Sequence, residues 1–120
     1  MENKVIYRHS TNIPTLKTSH LAGEKQVLLA GNESSSNITQ VALGTLQPGE
    51  SVEVHLHADM EESFYFLQGK GIYRIAGKDY KLELGTYLHI PINTEHYLQA
   101  LGEEPLHFIY WGIEAQKKAM

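Results

Sequence analysis

The chain has 120 residues, the length of one domain, and a domain of this size can bury a core without disulfides. Hydrophobic residues make up 42% of it, which excludes a disordered segment. The formal net charge is −4, so the chain lacks the basic stripe of a nucleic-acid partner. Cysteine is absent, which excludes thiolate metal sites, and no apolar run reaches the roughly 20 residues of a membrane helix.

Short apolar runs broken by turn residues predict an all-β domain, because they recur at the spacing typical of a sandwich or barrel. Glycine, proline and asparagine separate the runs, and no segment keeps a long helical period. We expect a motif-bearing barrel at about 26–112, an N-terminal arm at about 1–25 and a short tail at 113–120. The predicted strands are Gln26–Ala30, Ile38–Leu46, Val52–His57, Ser63–Leu67, Ile72–Ala76, Tyr80–Leu84, Tyr87–Ile90, Tyr97–Leu101 and Leu106–Trp111.

Two histidines lie two residues apart in the predicted strand Val52–His57. Side chains alternate between the faces of a strand, so His55 and His57 share one face, with Glu53 beside them. Two imidazoles held by one rigid strand can bind a metal ion. The pair also suits an ordinary solvated face, so by itself it does not decide between these interpretations.

A carboxylate and a third histidine favour the metal interpretation. Glu62 shares a strand face with Phe64 and Phe66, and a carboxylate buried there is costly unless a cation satisfies it. Glu61 is the alternative ligand, although alternation places it on the opposite face. His96 lies at the start of a later strand and is suitably placed to supply a further ligand.

These residues resemble two motifs of the cupin superfamily. The first motif is a Gly, five residues, His-any-His, three or four residues, Glu, six residues and a Gly. Its positions are matched by Gly49, His55, His57, Glu62 and Gly69. The second motif is a Gly, five residues, Pro-any-Gly, two residues, His, three residues and an Asn. It is matched at Gly85, Pro91 and His96, whereas Asn93 and Ala100 replace the second Gly and the Asn.

The resemblance covers Gln47–Trp111 and implies a double-stranded β-helix, or jelly roll, with a metal site inside the barrel. The matched residues would be its ligands, and the motif spacing selects Glu62 rather than Glu61. Such a ligand set suits one divalent ion of iron, manganese, nickel, cobalt or zinc. The implied ligands are His55, His57, Glu62 and His96.

A pocket for a small-molecule ligand or substrate is expected beside these ligands. A two-residue turn near Gly69 would pair Tyr73 with Phe64 or Phe66, so Tyr73 should face inward. An apolar wall around a few polar groups is the usual composition of a ligand site. The predicted lining is Phe64, Phe66, Tyr73 and Glu53.

The resemblance leaves two kinds of function open. The first is a metal-dependent enzyme of the dioxygenase, isomerase or epimerase, or lyase type, with Glu53 and Tyr73 as weak proton-shuttle candidates and no assigned catalytic residue. The second is a non-catalytic domain that binds or senses a small molecule. Met1–Val5 lacks the apolar stretch of a signal peptide, so we expect a cytoplasmic location.

A homodimer is also expected. If the ligand face of the predicted strand Val52–His57 is internal, then Val52, Val54 and Leu56 form an outward apolar row. Tyr65 and Leu67 would extend this row, and exposed apolar patches usually mark an interface. The alternative is that Val27–Ala30 of the same chain covers the row.

Overall fold

The computed structural model describes residues 4–18 and 22–115, which form two antiparallel sheets. The larger sheet has the order β1-β2-β3-β10-β5-β8, and the smaller has the order β4-β9-β6-β7. Short 3-10 helices cover Ser10–Asn12 and Gly31–Glu33. In the described residues the strands are β1 Leu16–Lys17, β2 Glu24–Ala30, β3 Ile38–Leu46, β4 Ser51–His55, β5 Met60–Gln68, β6 Lys70–Ile75, β7 Lys78–Leu82, β8 Tyr87–Ile90, β9 His96–Leu101 and β10 Leu106–Glu114.

Alternate residues of the strands build the core between the two sheets. Ala42 and Leu46 of β3 are buried, and so are Phe64 and Phe66 of β5. The predicted all-β jelly roll is confirmed, and the strands Ile38–Leu46 and Tyr87–Ile90 have the predicted bounds. None of the helices in the described part of the chain is long and apolar enough to cross a membrane.

The predicted hairpin at Gly69 is wrong, because the chain passes there from one sheet to the other. Strand β5 lies in the larger sheet and β6 in the smaller, so the two do not pair. Gly69 has φ +86°, and a Cβ there would collide with the carbonyl oxygen of Pro105. Tyr73 pairs with Tyr80 and Leu98 and is 2% exposed, so it faces inward through a different register.

A bulge in β4 changes which side chains face inward. Val52 pairs with Leu98 and His55 pairs with His96, so three residue steps on β4 lie opposite two on β9. Such an insertion reverses the alternation along a strand. Val52 consequently packs against the core, whereas Glu53 is exposed. The predictions of an outward Val52 and an inward Glu53 are therefore wrong.

The outward apolar row is not continuous. Val54 and Leu56 belong to the β4 segment at an edge of the smaller sheet, whereas Tyr65 and Leu67 lie on β5 in the larger sheet. Strand β2 pairs with β1 and β3 in the larger sheet. Val54 is 61% exposed and Leu56 is 45% exposed, so the alternative of self-coverage by Val27–Ala30 is wrong as well.

The N-terminal arm is joined to the larger sheet. Within the predicted arm, Leu16 and Lys17 form β1 and pair with Lys25 and Glu24 of β2. Arg8 donates to the carbonyl oxygen of Leu28 and to the carboxylate of Glu33. The last residues of the predicted tail, 116–120, lie outside the described part of the chain.

Candidate metal centre

The four predicted metal ligands converge at one end of the barrel. His55 ends β4, His57 lies in the segment that follows, Glu62 is on β5, and His96 begins β9. One ligand atom from each residue lies within 4.8 Å of all the others. The cluster can therefore hold a metal ion.

Backbone pairing positions the histidines. His55 and His96 are cross-strand partners, which places their rings on the same face with centroids 4.2 Å apart. The carbonyl oxygen of His57 accepts a hydrogen bond of 2.8 Å from the backbone N–H of Asn93. Asn93 has φ +56°, and asparagine tolerates this left-handed conformation better than most residues. The turn before β9 thus anchors the segment that carries His57.

The hydrogen bonds of two rings favour a cation between them. His55 Nδ1 lies 2.8 Å from the Glu53 carbonyl oxygen, and His96 Nδ1 lies 2.8 Å from the Thr94 carbonyl oxygen. Carbonyl oxygens only accept, so each ring carries its proton on Nδ1 and presents a lone pair on Nε2. These two Nε2 atoms face each other at 3.1 Å. Such a tautomer is the one that a metal-binding histidine adopts, with a backbone carbonyl orienting the ring.

Glu62 completes the donor set with a carboxylate oxygen. Its Oε1 lies 3.4 Å from His57 Nε2 and 3.7 Å from His96 Nε2, and its side chain is 12% exposed. Burial raises the pKa of Glu62 to about 7. Burial and the neighbouring His55 lower the pKa of His57. A bound cation would reverse the cost of ionising Glu62, so three imidazole nitrogens and this carboxylate fit a divalent transition metal.

A cavity of about 190 Å³ opens beside the cluster. Phe64, Tyr73 and Tyr110 form an aromatic wall, in which the rings of Phe64 and Tyr110 stack with centroids 5.5 Å apart. Of the predicted lining, Phe64 and Tyr73 contact the cavity. Phe66 lies instead in the core with no exposed surface, and Glu53 points outward because of the bulge in β4. The cavity is lined by Thr18, Ala22, Gly23, Glu24, Lys25, Gln40, Gly44, Thr45, Leu46, Val52, His55, His57, Met60, Glu62, Phe64, Tyr73, Leu98, Phe108 and Tyr110.

Several polar residues of this lining were not identified from the sequence, and three of them lie on different strands. Lys25 lies in the predicted arm, Gln40 lies in β3, and Tyr110 lies in β10. Burial raises the pKa of Tyr110 to about 12, with a smaller contribution from Glu62. Gln40 could have been predicted to face inward from the alternation of side chains along β3, since it shares a face with the buried residues Ala42 and Leu46.

His89, Glu61 and His107 lie outside the cavity. His89 Nδ1 contacts Ser63 Oγ at 3.1 Å, and His89 Nε2 lies 3.8 Å from Glu61 Oε2. Glu61 is thus turned away from the histidine cluster. His107 Nδ1 contacts Thr45 Oγ1 at 2.9 Å. Neither His89 nor His107 borders the cavity.

A larger depression of about 480 Å³ lies between the N-terminal arm and β2. Tyr7, Ile13 and Val27 line it together with the ion pair between Arg8 and Glu33. It contains none of the four clustered ligands, so the smaller cavity is the better candidate for a functional site.

Known proteins share this sequence pattern and this fold. A sequence-family model described as Cupin domain matches residues 42–112. The chain is 27% identical over 92 residues to an oxalate decarboxylase from Bacillus subtilis, which is 72% of this chain and 24% of that protein. It is 31% identical over 64 residues to an oxalate-binding protein from Thermotoga maritima, which is 53% of each.

A solved structure covers more of the fold. The crystal structure of a predicted oxalate decarboxylase from Thermotoga maritima matches with a TM-score of 0.84 and 25% identity, over 92% of this chain and 100% of that chain. By contrast, the chain spans about a quarter and about half of the lengths of the two sequence relatives.

Proposed function

The chain belongs to the cupin family, and from this premise we propose that it binds one divalent metal ion and a small organic acid beside that ion. His55, His57, Glu62 and His96 hold the ion in this proposal. The observation that carries it is the convergence of four ligand atoms within 4.8 Å of one another, next to a cavity.

The size and lining of the cavity support a small ligand. Its volume of about 190 Å³ is below the roughly 300 Å³ at which sites for drug-sized molecules begin. A metal ion held by these four residues would supply positive charge for a carboxylate oxygen of the ligand. Phe64 and Tyr73 form an apolar part of the cavity wall that excludes water. The names of two relatives, an oxalate decarboxylase and an oxalate-binding protein, support a small organic acid as the ligand.

Among the reaction types that the family allows, we propose a lyase reaction, the decarboxylation of the bound acid. The carbon–carbon bond to one carboxylate breaks, carbon dioxide leaves with that carbon, and the remaining carbon takes a proton. Tyr110 is the proton donor in this proposal, because it borders the cavity and is protonated at neutral pH; it regains its proton from water after each turnover. The likeness to two proteins described as oxalate decarboxylases supports this class.

The second candidate is a binding protein without turnover. The relative described as an oxalate-binding protein favours it. A pKa of about 12 also places Tyr110 far from the value near the working pH that suits a general acid. The two candidates share the metal and the ligand and differ only in whether a product forms.

Metal analysis of the purified chain tests the proposed centre. We expect about one divalent ion per chain, and loss of that ion when His57→Ala and His96→Ala are combined. The control is His89→Ala, which removes an imidazole outside the cavity and should leave the metal content unchanged. Full metal occupancy in the double variant would contradict the assignment.

A product assay separates the two candidates. The metal-loaded chain is incubated with oxalate, and formate is measured. Formate that disappears in Tyr110→Phe, with oxalate affinity retained, supports the enzyme. Saturable oxalate binding without formate supports the binding protein.

A further inference from the structure

Lys25 presents its ammonium group to the cavity from the inner face of the larger sheet. Lys25 and Gly44 are cross-strand partners, and such partners share a face. Gly44 faces the interior, since a Cβ there would meet the ring of Phe108. The half-buried Lys25 therefore points inward and borders the cavity.

Among the described residues, Lys25 has a dipolar partner but no ion-pair partner. Its Nζ donates a hydrogen bond of 3.3 Å to Gln40 Oε1. In the part of the chain that the structure describes, no carboxylate forms an ion pair with Lys25, and the carboxylate of adjacent Glu24 pairs with Lys17 Nζ at 3.2 Å. A half-buried ammonium that forms no ion pair favours an anionic ligand beside it.

Gln40 connects Lys25 to the side of the cavity that carries the metal ligands. Its side chain accepts from Lys25 through Oε1, and its amide is close enough to Tyr110 to lower the pKa of that hydroxyl slightly, against the larger effect of burial. Tyr110 and Glu62 border the same cavity. Lys25, Gln40 and Tyr110 thus form a row of polar groups along the cavity wall.

We propose that Lys25 recognises the second negative charge of a small dianionic organic acid, and so selects dianions over monoanions. This inference rests on the proposed function, in which the first carboxylate lies beside the metal. A divalent ion, the Lys25 ammonium and the Glu62 carboxylate together leave a net positive charge, since the carboxylate of Glu24, which also borders the cavity, pairs with Lys17. A dianion neutralises that charge more fully than a monoanion does, and a charged hydrogen bond holds its second carboxylate.

The test compares oxalate with oxamate, in which an amide replaces one carboxylate in a molecule of nearly the same size. Calorimetry on the manganese-loaded chain measures both affinities, and the metal content and melting temperature of every variant are recorded. We expect wild type to prefer oxalate by about tenfold or more, as for a hydrogen bond to a charged group. The preference should vanish in Lys25→Met and persist in Lys25→Arg.

Lys81→Met is the matched control, because it removes one lysine charge from an exposed position on β7. It should keep the oxalate preference. An undiminished preference in Lys25→Met, with metal content unchanged, would overturn the role of Lys25 and leave the proposed function standing. If the manganese-loaded wild type bound neither acid, or bound oxalate equally well without metal, the proposed function would fail and this inference with it.

Discussion

In the metal-free protein the ionised form of Glu62 is destabilised, because its carboxyl group is buried beside three imidazole rings. Burial raises the pKa of Glu62 to about 7, whereas an exposed glutamate has a pKa near 4.5. The folded state therefore binds more protons than the unfolded state between these values. Its stability should fall as the pH rises from about 4.5 to about 7, by about 3 kcal/mol.

Glu62→Gln tests this pH dependence. Chemical denaturation of the metal-free chain at several pH values should show that the variant lacks the loss of stability seen in wild type. The lowered pKa of His57 acts with the opposite sign, since it removes stability as the pH falls through about 6.5, and it is present in both proteins. Glu61→Gln, which changes the neighbouring carboxyl group, should behave like wild type, and an identical profile in Glu62→Gln would contradict the argument.

The same carboxyl group sets the pH range of metal binding. Neutral imidazoles alone would lead to loss of metal below about pH 6. Glu62 must also lose its proton before it can bind the metal. Because its pKa is about 7, protons compete with the metal up to a higher pH than the imidazoles alone would allow. Metal affinity should therefore begin to fall below about pH 7, which titration with a fluorescent metal indicator measures.

The turn between β8 and β9 matters to the site because it anchors His57. Asn93 is exposed, so its side chain contributes little packing, but its φ of +56° suits few residues. Asn93→Ala should cost about 1 kcal/mol through backbone strain and weaken metal binding by loosening the contact to His57. Denaturation and metal titration measure the two effects.

Asn93→Gly is the matched control for this turn. Glycine adopts the left-handed conformation without strain, and it is the residue found at this position of the cupin motif. Its stability and metal affinity should stay close to those of wild type. Equal losses in the alanine and glycine variants would show that the asparagine side chain matters instead of the backbone conformation.

The whole molecule should fold without metal but be stabilised by it. The core between the sheets, with Phe66, Leu46, Ile90 and Leu106 fully buried, does not depend on the cluster. A ligand that binds only the folded state stabilises by about 2.7 kcal/mol at one hundred times its dissociation constant. A chelator should consequently lower the melting temperature, as measured by circular dichroism, while leaving a cooperative transition. Complete unfolding by the chelator at room temperature would contradict an independent core.

Association of the whole molecule into a homodimer remains a prediction. Exposed Val54 and Leu56 at the edge of the smaller sheet are the residues left from the predicted outward row. Sedimentation at tens of micromolar should show a dimer that Val54→Lys combined with Leu56→Lys dissociates. Tyr65→Lys, on the other sheet, is the control and should leave the dimer intact. A monomeric wild type would refute the prediction.

The amino-acid sequence by itself determined the features that depend on local spacing. Strand periodicity predicted an all-β chain, and the resemblance to two cupin motifs, the second of which contains His96, implied which histidines and which glutamate would converge. The ligand set came from the resemblance, whereas the strands were predictable because alternation and turn chemistry act over a few residues. The choice of Glu62 over Glu61 is an example, since both lie in one uninterrupted stretch of β5.

Only the tertiary structure decided the features that depend on pairing between distant segments. The bulge in β4 turned Val52 inward and Glu53 outward, and it is visible only in the pairing of β4 with β9. At Gly69 the chain passes from the larger sheet to the smaller one instead of forming the expected hairpin, which also depends on how distant strands pair. Three strands bring polar residues together at the cavity: β2 carries Lys25, β3 carries Gln40 and β10 carries Tyr110. Strand β10 is far from the other two in the sequence. A local pattern cannot specify such a meeting, because it depends on how the two sheets close around the core.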